Sequence, residues 1–134
     1  RGVLVDDQGR ILLREPTGHF DGYVWTFPKG RGKKTESQIA VALREVLEET
    51  GYPARVIQRI PQVFQGGMGD NVYFLMRPAG DPRHFDPSET KSICWAKPKE
   101  ARQLISRTTN AVGRERDLAV LEAAIATLGG RASV

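Results

Sequence analysis

The chain has 134 residues, 40% hydrophobic and 27% charged, a balance that suits one soluble domain over residues 1–134 and excludes a disordered or fibrous chain. Lys and Arg number 20 against 16 Asp and Glu, and the net charge of +4 favours anionic partners without naming one. No apolar run approaches the roughly 20 residues of a membrane span, the first residues lack a signal-peptide pattern, and the single cysteine, Cys94, excludes an internal disulfide, so a cytoplasmic location without a membrane partner is expected.

Gly2 to Asp6 and Arg10 to Arg14 read as strands joined by an Asp-Gln-Gly turn, a hairpin signal. Glu15 to Val24 reads as a loop, and Trp25 to Phe27 as a short apolar strand stopped by Pro28. A helix is predicted over residues 36 to 50. Thr35 and Gln38 have capping-box spacing, and Ile39, Leu43, Val46 and Leu47 form the expected core-facing stripe. Gly51 would end that helix as a left-handed cap. Arg55 to Ile60, Gln62 to Gln65 and Val72 to Arg77 read as strands, with GGMGDN as the turn between the last two, and Pro78 to Lys91 as a long loop. Ser92 to Ala96 is the final strand, where Cys94 reads as a small buried residue. Helices follow over Pro98 to Ile105 and Val112 to Leu128, before a tail from Gly129 to Val134 that is expected to fray. The order predicts an α/β fold, a mixed sheet covered by helices on both faces.

The chemistry concentrates in residues 30 to 52. Glu45, Glu48 and Glu49 fall within about a quarter of the helix circumference, opposite the predicted apolar stripe. Like charges at these spacings repel by roughly 0.2–0.5 kcal/mol per pair, a penalty that a divalent cation converts into binding energy. Oxygen donors that leave positions open for phosphate suit Mg²⁺, with Mn²⁺ as the second choice. Lys29, Arg31, Lys33 and Lys34 lie within six residues, interleaved with Gly30 and Gly32, and lead into a helix N-terminus that already favours phosphate. Carboxylates that hold a cation beside a basic lip predict hydrolysis of a P–O–P bond.

The spacing is Gly30, five residues, Glu36, seven residues, then Arg44-Glu45-Val46-Leu47-Glu48-Glu49-Thr50-Gly51. It resembles the signature of the Nudix hydrolases, in which a glycine, a glutamate and Arg-Glu-aliphatic-x-Glu-Glu-x-Gly hold the same offsets. Tyr52 stands where that family usually has an aliphatic residue, and Thr35 where many members have glycine; neither change removes a ligand. The resemblance implies an α/β/α sandwich with a mixed sheet and a metal held by Glu45, Glu49 and the Gly30 carbonyl, with Glu48 as a further ligand or as the base. It also implies that Arg44 orients the carboxylates with Glu36 as its partner. Glu89, in the DPSETK loop, is either a further ligand or base, or a solvated loop acid.

Lys29, Arg31 and Lys33 are the expected phosphate contacts. The segment WTFPKGRGK resembles members that act on dinucleoside polyphosphates, diphosphoinositol polyphosphates or RNA 5′ ends. The expected substrate is therefore a small-molecule phosphoanhydride, preferably a dinucleoside polyphosphate, with an RNA 5′ end the one nucleic-acid alternative. A non-catalytic sensor of a nucleotide or phosphometabolite is one contrasting reading, a basic nucleic-acid-binding domain suggested by the charge is the other, and an oligomer is compatible with the sequence. His19 and His84 read as exposed loop residues. Tyr23, Trp25, Phe64 and Tyr73 could stack a base, although strand aromatics usually pack in a core.

Overall fold

The computed structural model describes all residues except Arg31, Lys33, Lys34, Gly67, Met68, Ser133 and Val134. Strands β1 (Gly2–Leu4) and β2 (Ile11–Pro16) precede helix α1 (Gln38–Thr50), strands β3 (Ala54–Gly66), β4 (Gly69–Pro78) and β5 (Thr90–Ala96) follow it, and helices α2 (Pro98–Ile105) and α3 (Ala111–Ala132) come last. A three-stranded mixed sheet has the order β1-β4-β3, with β1 parallel and β3 antiparallel to β4, while β2 and β5 pair antiparallel beside it.

Strand side chains alternate between faces, and that period of two builds two cores. Val3, Leu13, Tyr73 and Leu75 face Ala101 and Ile105 of α2 and Val120, Leu121 and Ala124 of α3. Leu4, Leu12, Phe74 and Met76 face Ala42 and Val46 of α1. Helices therefore cover both faces, giving the α/β/α sandwich.

The expected N-terminal hairpin does not form as such. The turn closes, with Asp6 N donating to Arg10 O at 3.0 Å, but β1 then pairs with β4 and β2 with β5. Parting the two strands buries Val3 and Leu4 on opposite faces, which an exposed two-stranded ribbon could not do. The break expected near Pro61 is instead an irregularity in one long strand, where the register shifts between Arg59 and Val63. A proline that cannot donate to the ladder is tolerated at such a point. Trp25 to Phe27 makes one bridge, Arg14 with Thr26, rather than a strand, and Thr17–Gly22 forms a kinked 3-10 turn. Helix α3 continues past Leu128 to Ala132. Cys94 is half-buried, its thiol pushed up by burial. Among the described residues no helix is long and apolar enough to cross a membrane.

Helix α1 carries the largest departure. Its N-cap is Ser37, whose hydroxyl accepts from Ala40 N at 3.1 Å, rather than Thr35. Its buried residues are Ala42, Glu45, Val46, Glu49 and Thr50, while Ile39 is 45% exposed. The helix is thus rotated so that two of the three glutamates face inward. Its end is as expected: Gly51 has φ 80° and its N–H donates to Leu47 O at 2.9 Å. A Cβ at Gly51 would also strike the backbone carbonyl of Arg83. Gly51→Ala should therefore cost about 2 kcal/mol or more in urea unfolding, combining left-handed strain with a clash that backbone cannot yield to. A loss under half that value would show that the loop around Arg83 adjusts freely.

Candidate active site

The inward glutamates of α1 meet a charge from the neighbouring sheet. Arg14 of β2 is 6% exposed, and its Nη1 lies 3.0 Å from Glu49 Oε1. The same guanidinium donates to Thr90 Oγ1 at 2.9 Å and to Glu89 O at 2.5 Å, joining α1, β2 and the loop before β5. The other oxygen of Glu49, Oε2, is buried with no hydrogen-bond partner among the described residues. Burial lifts the Glu49 carboxyl to about 8, reinforced by the adjacent Glu45 and opposed by Arg14.

Glu45 is 8% exposed and accepts from Arg44 Nη1 at 2.8 Å. Arg44 grips Glu36 through two further bonds, both 2.9 Å, so a bidentate pair anchors the group that holds Glu45. Gly30 lies against the Glu45 carboxyl so closely that a Cβ there would overlap it. Lys29, the residue before it, places its ammonium 3.4 Å from the Tyr23 ring centroid. Burial is the main reason its pKa falls to about 8, with Arg116 adding to the effect. Among the described residues Lys29 makes no ion pair with a carboxylate. Beneath it, the Tyr23 hydroxyl accepts from Arg116 Nη2 at 3.0 Å, and Arg116 pairs with the fully buried Asp117, which also accepts from Thr26 Oγ1 at 2.6 Å. Helix α3 thus supports the floor under the cation.

These groups open onto one cleft of about 480 Å³, lined by Arg14, Lys29, Gly30, Glu45, Glu49 and Glu89, with Phe20 and Tyr23 at its wall. Glu48 lies outside it, exposed, with Oε2 3.4 Å from Arg44 Nη1. The cleft therefore gathers Glu45, Glu49, Gly30, Lys29 and Glu89 but not Glu48, while Arg44 reaches it through Glu45. Arg31 and Lys33 lie outside the described residues. His19 sits 2.8 Å from Glu15, and His84 is exposed. Phe64 and Tyr73 are core residues packed edge to face, and Trp25 packs partly against the same core, leaving Tyr23 as the cleft aromatic among the four considered.

Sequence reading missed Arg14 and Phe20. Arg14 had a detectable signal, a charge inside the apolar run ILLREP at a register otherwise buried. Phe20 had none, because a lone aromatic in a Gly-rich stretch reads equally well as a core residue.

The donor set suits a hard divalent cation. It offers carboxylate oxygens, one of them buried and unpartnered, and a glycine whose missing side chain leaves room beside them. Among the described residues no three His, Cys, Asp or Glu side chains are grouped as a metal cluster, so the adjacent carboxylate donors of the cleft are the Glu45–Glu49 pair. A hard cation held by few protein oxygens takes its remaining ligands from water and phosphate.

A family model described as the NUDIX domain matches residues 1–116. An RNA pyrophosphohydrolase of Novosphingobium aromaticivorans is 28% identical over 126 residues, covering 77% of this chain and 78% of its own. The m7GpppN-mRNA hydrolase dcap-2 of Caenorhabditis elegans is 28% identical over 93 residues, covering 68% of this chain but 12% of dcap-2. Among solved structures, an Ap4A hydrolase of C. elegans superposes with a TM-score of 0.73 at 18% identity, covering 96% of each chain, a likeness of fold. With its signature built into an α/β/α sandwich and matched over most of its length, this chain belongs to the Nudix family and is a hydrolase of pyrophosphate bonds.

Proposed function

We propose that this protein is a cytoplasmic, Mg²⁺-dependent pyrophosphohydrolase that cuts a P–O–P bond in a nucleotide polyphosphate, with dinucleoside polyphosphates preferred. The observation that carries this reading is the Glu45–Glu49 pair, one oxygen buried and unpartnered among the described residues, in the same cleft as the Lys29 ammonium, which pairs with no carboxylate among those residues. Glu45, Glu49 and the Gly30 carbonyl would hold the ion. When bound, Mg²⁺ neutralises phosphate oxygens and polarises the phosphorus under attack.

The remaining work falls to the chain itself. Lys29, with Arg31 and Lys33 close by in sequence, binds the phosphate chain and offsets charge on the leaving phosphate. Arg44 holds Glu45 in place through its grip on Glu36. Glu89, which lines the cleft, is the candidate base for the proton of the attacking water, with Glu48 as the other candidate. Water adds to one phosphorus as the bridging oxygen leaves on the other, giving two phosphorylated products. The RNA 5′ end is the second reading, favoured by the activity named for the Novosphingobium relative.

The test is phosphate-product release with Mg²⁺ or Mn²⁺ across diadenosine polyphosphates, nucleoside triphosphates, ADP-ribose, diphosphoinositol polyphosphates and 5′-triphosphorylated RNA. Turnover of a diadenosine polyphosphate ahead of the rest is expected. Preferred turnover of the RNA would select the second reading, and ligand-induced thermal shifts without turnover would turn the reading into a sensor. Lys29→Met should raise KM for the preferred substrate about tenfold, the value of one charge-assisted phosphate contact. An unchanged KM would remove Lys29 from the phosphate path.

A further inference from the structure

Among the described residues, Phe20 is the most exposed large hydrophobic side chain, at 78%. It lies in the Thr17–Gly22 turn and lines the same cleft as Lys29, Glu45 and Glu49. A phenyl ring left in water beside a charged cleft forgoes burial that a small change of turn could provide. The turn is instead built to present it. His19 (φ 48°) and Asp21 (φ 58°), on either side of Phe20, are the two non-glycine residues with positive φ among those described, and Gly18 (φ 67°) and Gly22 (φ 81°) continue the pattern. Left-handed backbone at non-glycine residues is uncommon and clusters at ligand clamps.

The anchors of the turn lie to both sides of the ring and leave it free. Thr17 N donates to Glu89 O at 3.0 Å, and Thr17 Oγ1 to Pro87 O at 2.8 Å. His19 Nε2 lies 2.8 Å from Glu15 Oε2. On the far side, Asn110 Nδ2 donates to Asp21 O at 3.2 Å, and Thr109 N to Gly22 O at 2.9 Å. The turn is thus tied to the β5 loop on one flank and to the start of α3 on the other, with Phe20 held between them at the cleft.

We infer that Phe20 is a stacking platform for a nucleobase and selects phosphate chains that carry a flat heteroaromatic ring over chains that do not. The inference rests on the phosphate-cleft reading above and adds the residue that recognises the base. A flat apolar face complements a purine or pyrimidine ring, whose π-face is free to stack. It is a poor partner for the non-planar, densely phosphorylated ring of a diphosphoinositol polyphosphate, so that class is disfavoured.

The test uses two probes without a P–O–P bond, so that binding is read without turnover. They are adenosine 5′-(α,β-methylene)diphosphate and its base-free counterpart methylenediphosphonate, each titrated calorimetrically with Mg²⁺ present. Phe20→Ala should weaken the nucleotide about tenfold and leave methylenediphosphonate within about twofold of wild type, with Phe20→Trp restoring nucleotide binding. The exposed ring makes no core contact, so the thermal midpoint of Phe20→Ala should match wild type. Unchanged nucleotide binding in Phe20→Ala, or equal weakening of both probes, overturns the platform alone. Failure of both probes to bind the wild type overturns the phosphate-cleft reading and the platform with it.

Discussion

Glu49→Gln is expected to lower kcat by at least about a hundredfold while leaving the protein folded. Supporting residues around metals already cost about 10- to 100-fold when removed, and Glu49 is proposed as a ligand itself. The stability half of this expectation needs care, because Glu49 does not face away from the core as the helix pattern suggested. Its side chain is 3% exposed and paired with the nearly buried Arg14. Glutamine keeps a carbonyl that Arg14 can donate to, and it ends the repulsion with Glu45 that helps to raise the Glu49 carboxyl. Glu49→Ala would instead leave the Arg14 guanidinium without its carboxylate, a loss of about 3 kcal/mol or more. The measurement pairs kcat with thermal unfolding in the presence and absence of Mg²⁺. Added Mg²⁺ should raise the wild-type midpoint, as any ligand of the native state does, and should not raise that of Glu49→Gln. A folded variant with near-normal kcat would sink the metal assignment.

Gly30→Ala should lower kcat/KM by about a hundredfold and raise the Mg²⁺ concentration needed for half-maximal rate. One added methyl group would occupy the space of the Glu45 carboxyl, which must then move off the cleft. Misplacing a ligating oxygen by about 1 Å is enough for a loss of this size. The clash is with the end of a flexible side chain rather than with backbone, so the unfolding midpoint should change little, in contrast to Gly51→Ala. Wild-type Mg²⁺ dependence in Gly30→Ala would reduce Gly30 to a turn residue and remove its carbonyl from the ligand set.

Elements governed by neighbours in sequence were legible. Helix α2 occupies Pro98–Ile105 as its pattern predicts, and Gly51 ends α1 in the left-handed region. The offsets from Gly30 to Gly51 identified the family, because a ligand strip along one helix is a local property. The bidentate Arg44–Glu36 contact was also within reach, since the two lie on the same side of one short loop and helix.

Which way that strip faces was not legible. Apolar periodicity placed Ile39 inward and the glutamates outward, yet Ile39 is 45% exposed and Glu45 and Glu49 are buried. Ile39 lost that contest because the surface opposite the helix is not wholly apolar. It presents Arg14, from a strand far away in sequence, and a buried cation favours carboxylates over side chains that cannot pair with it. Glu48, one residue from Glu49, turns instead to Arg44 and stays exposed.

By itself the sequence determined the elements that follow from local spacing, the carboxylate strip and the family. Tertiary structure decided the rest: the parting of β1 from β2 into different pairings, the inward rotation of α1, and the meeting of Lys29, Glu45, Glu49, Glu89 and Phe20 at one cleft. The reason is common to all three. Strand pairing and helix orientation are set by burial and charge contacts between segments distant in the chain, and no window of sequence contains both partners.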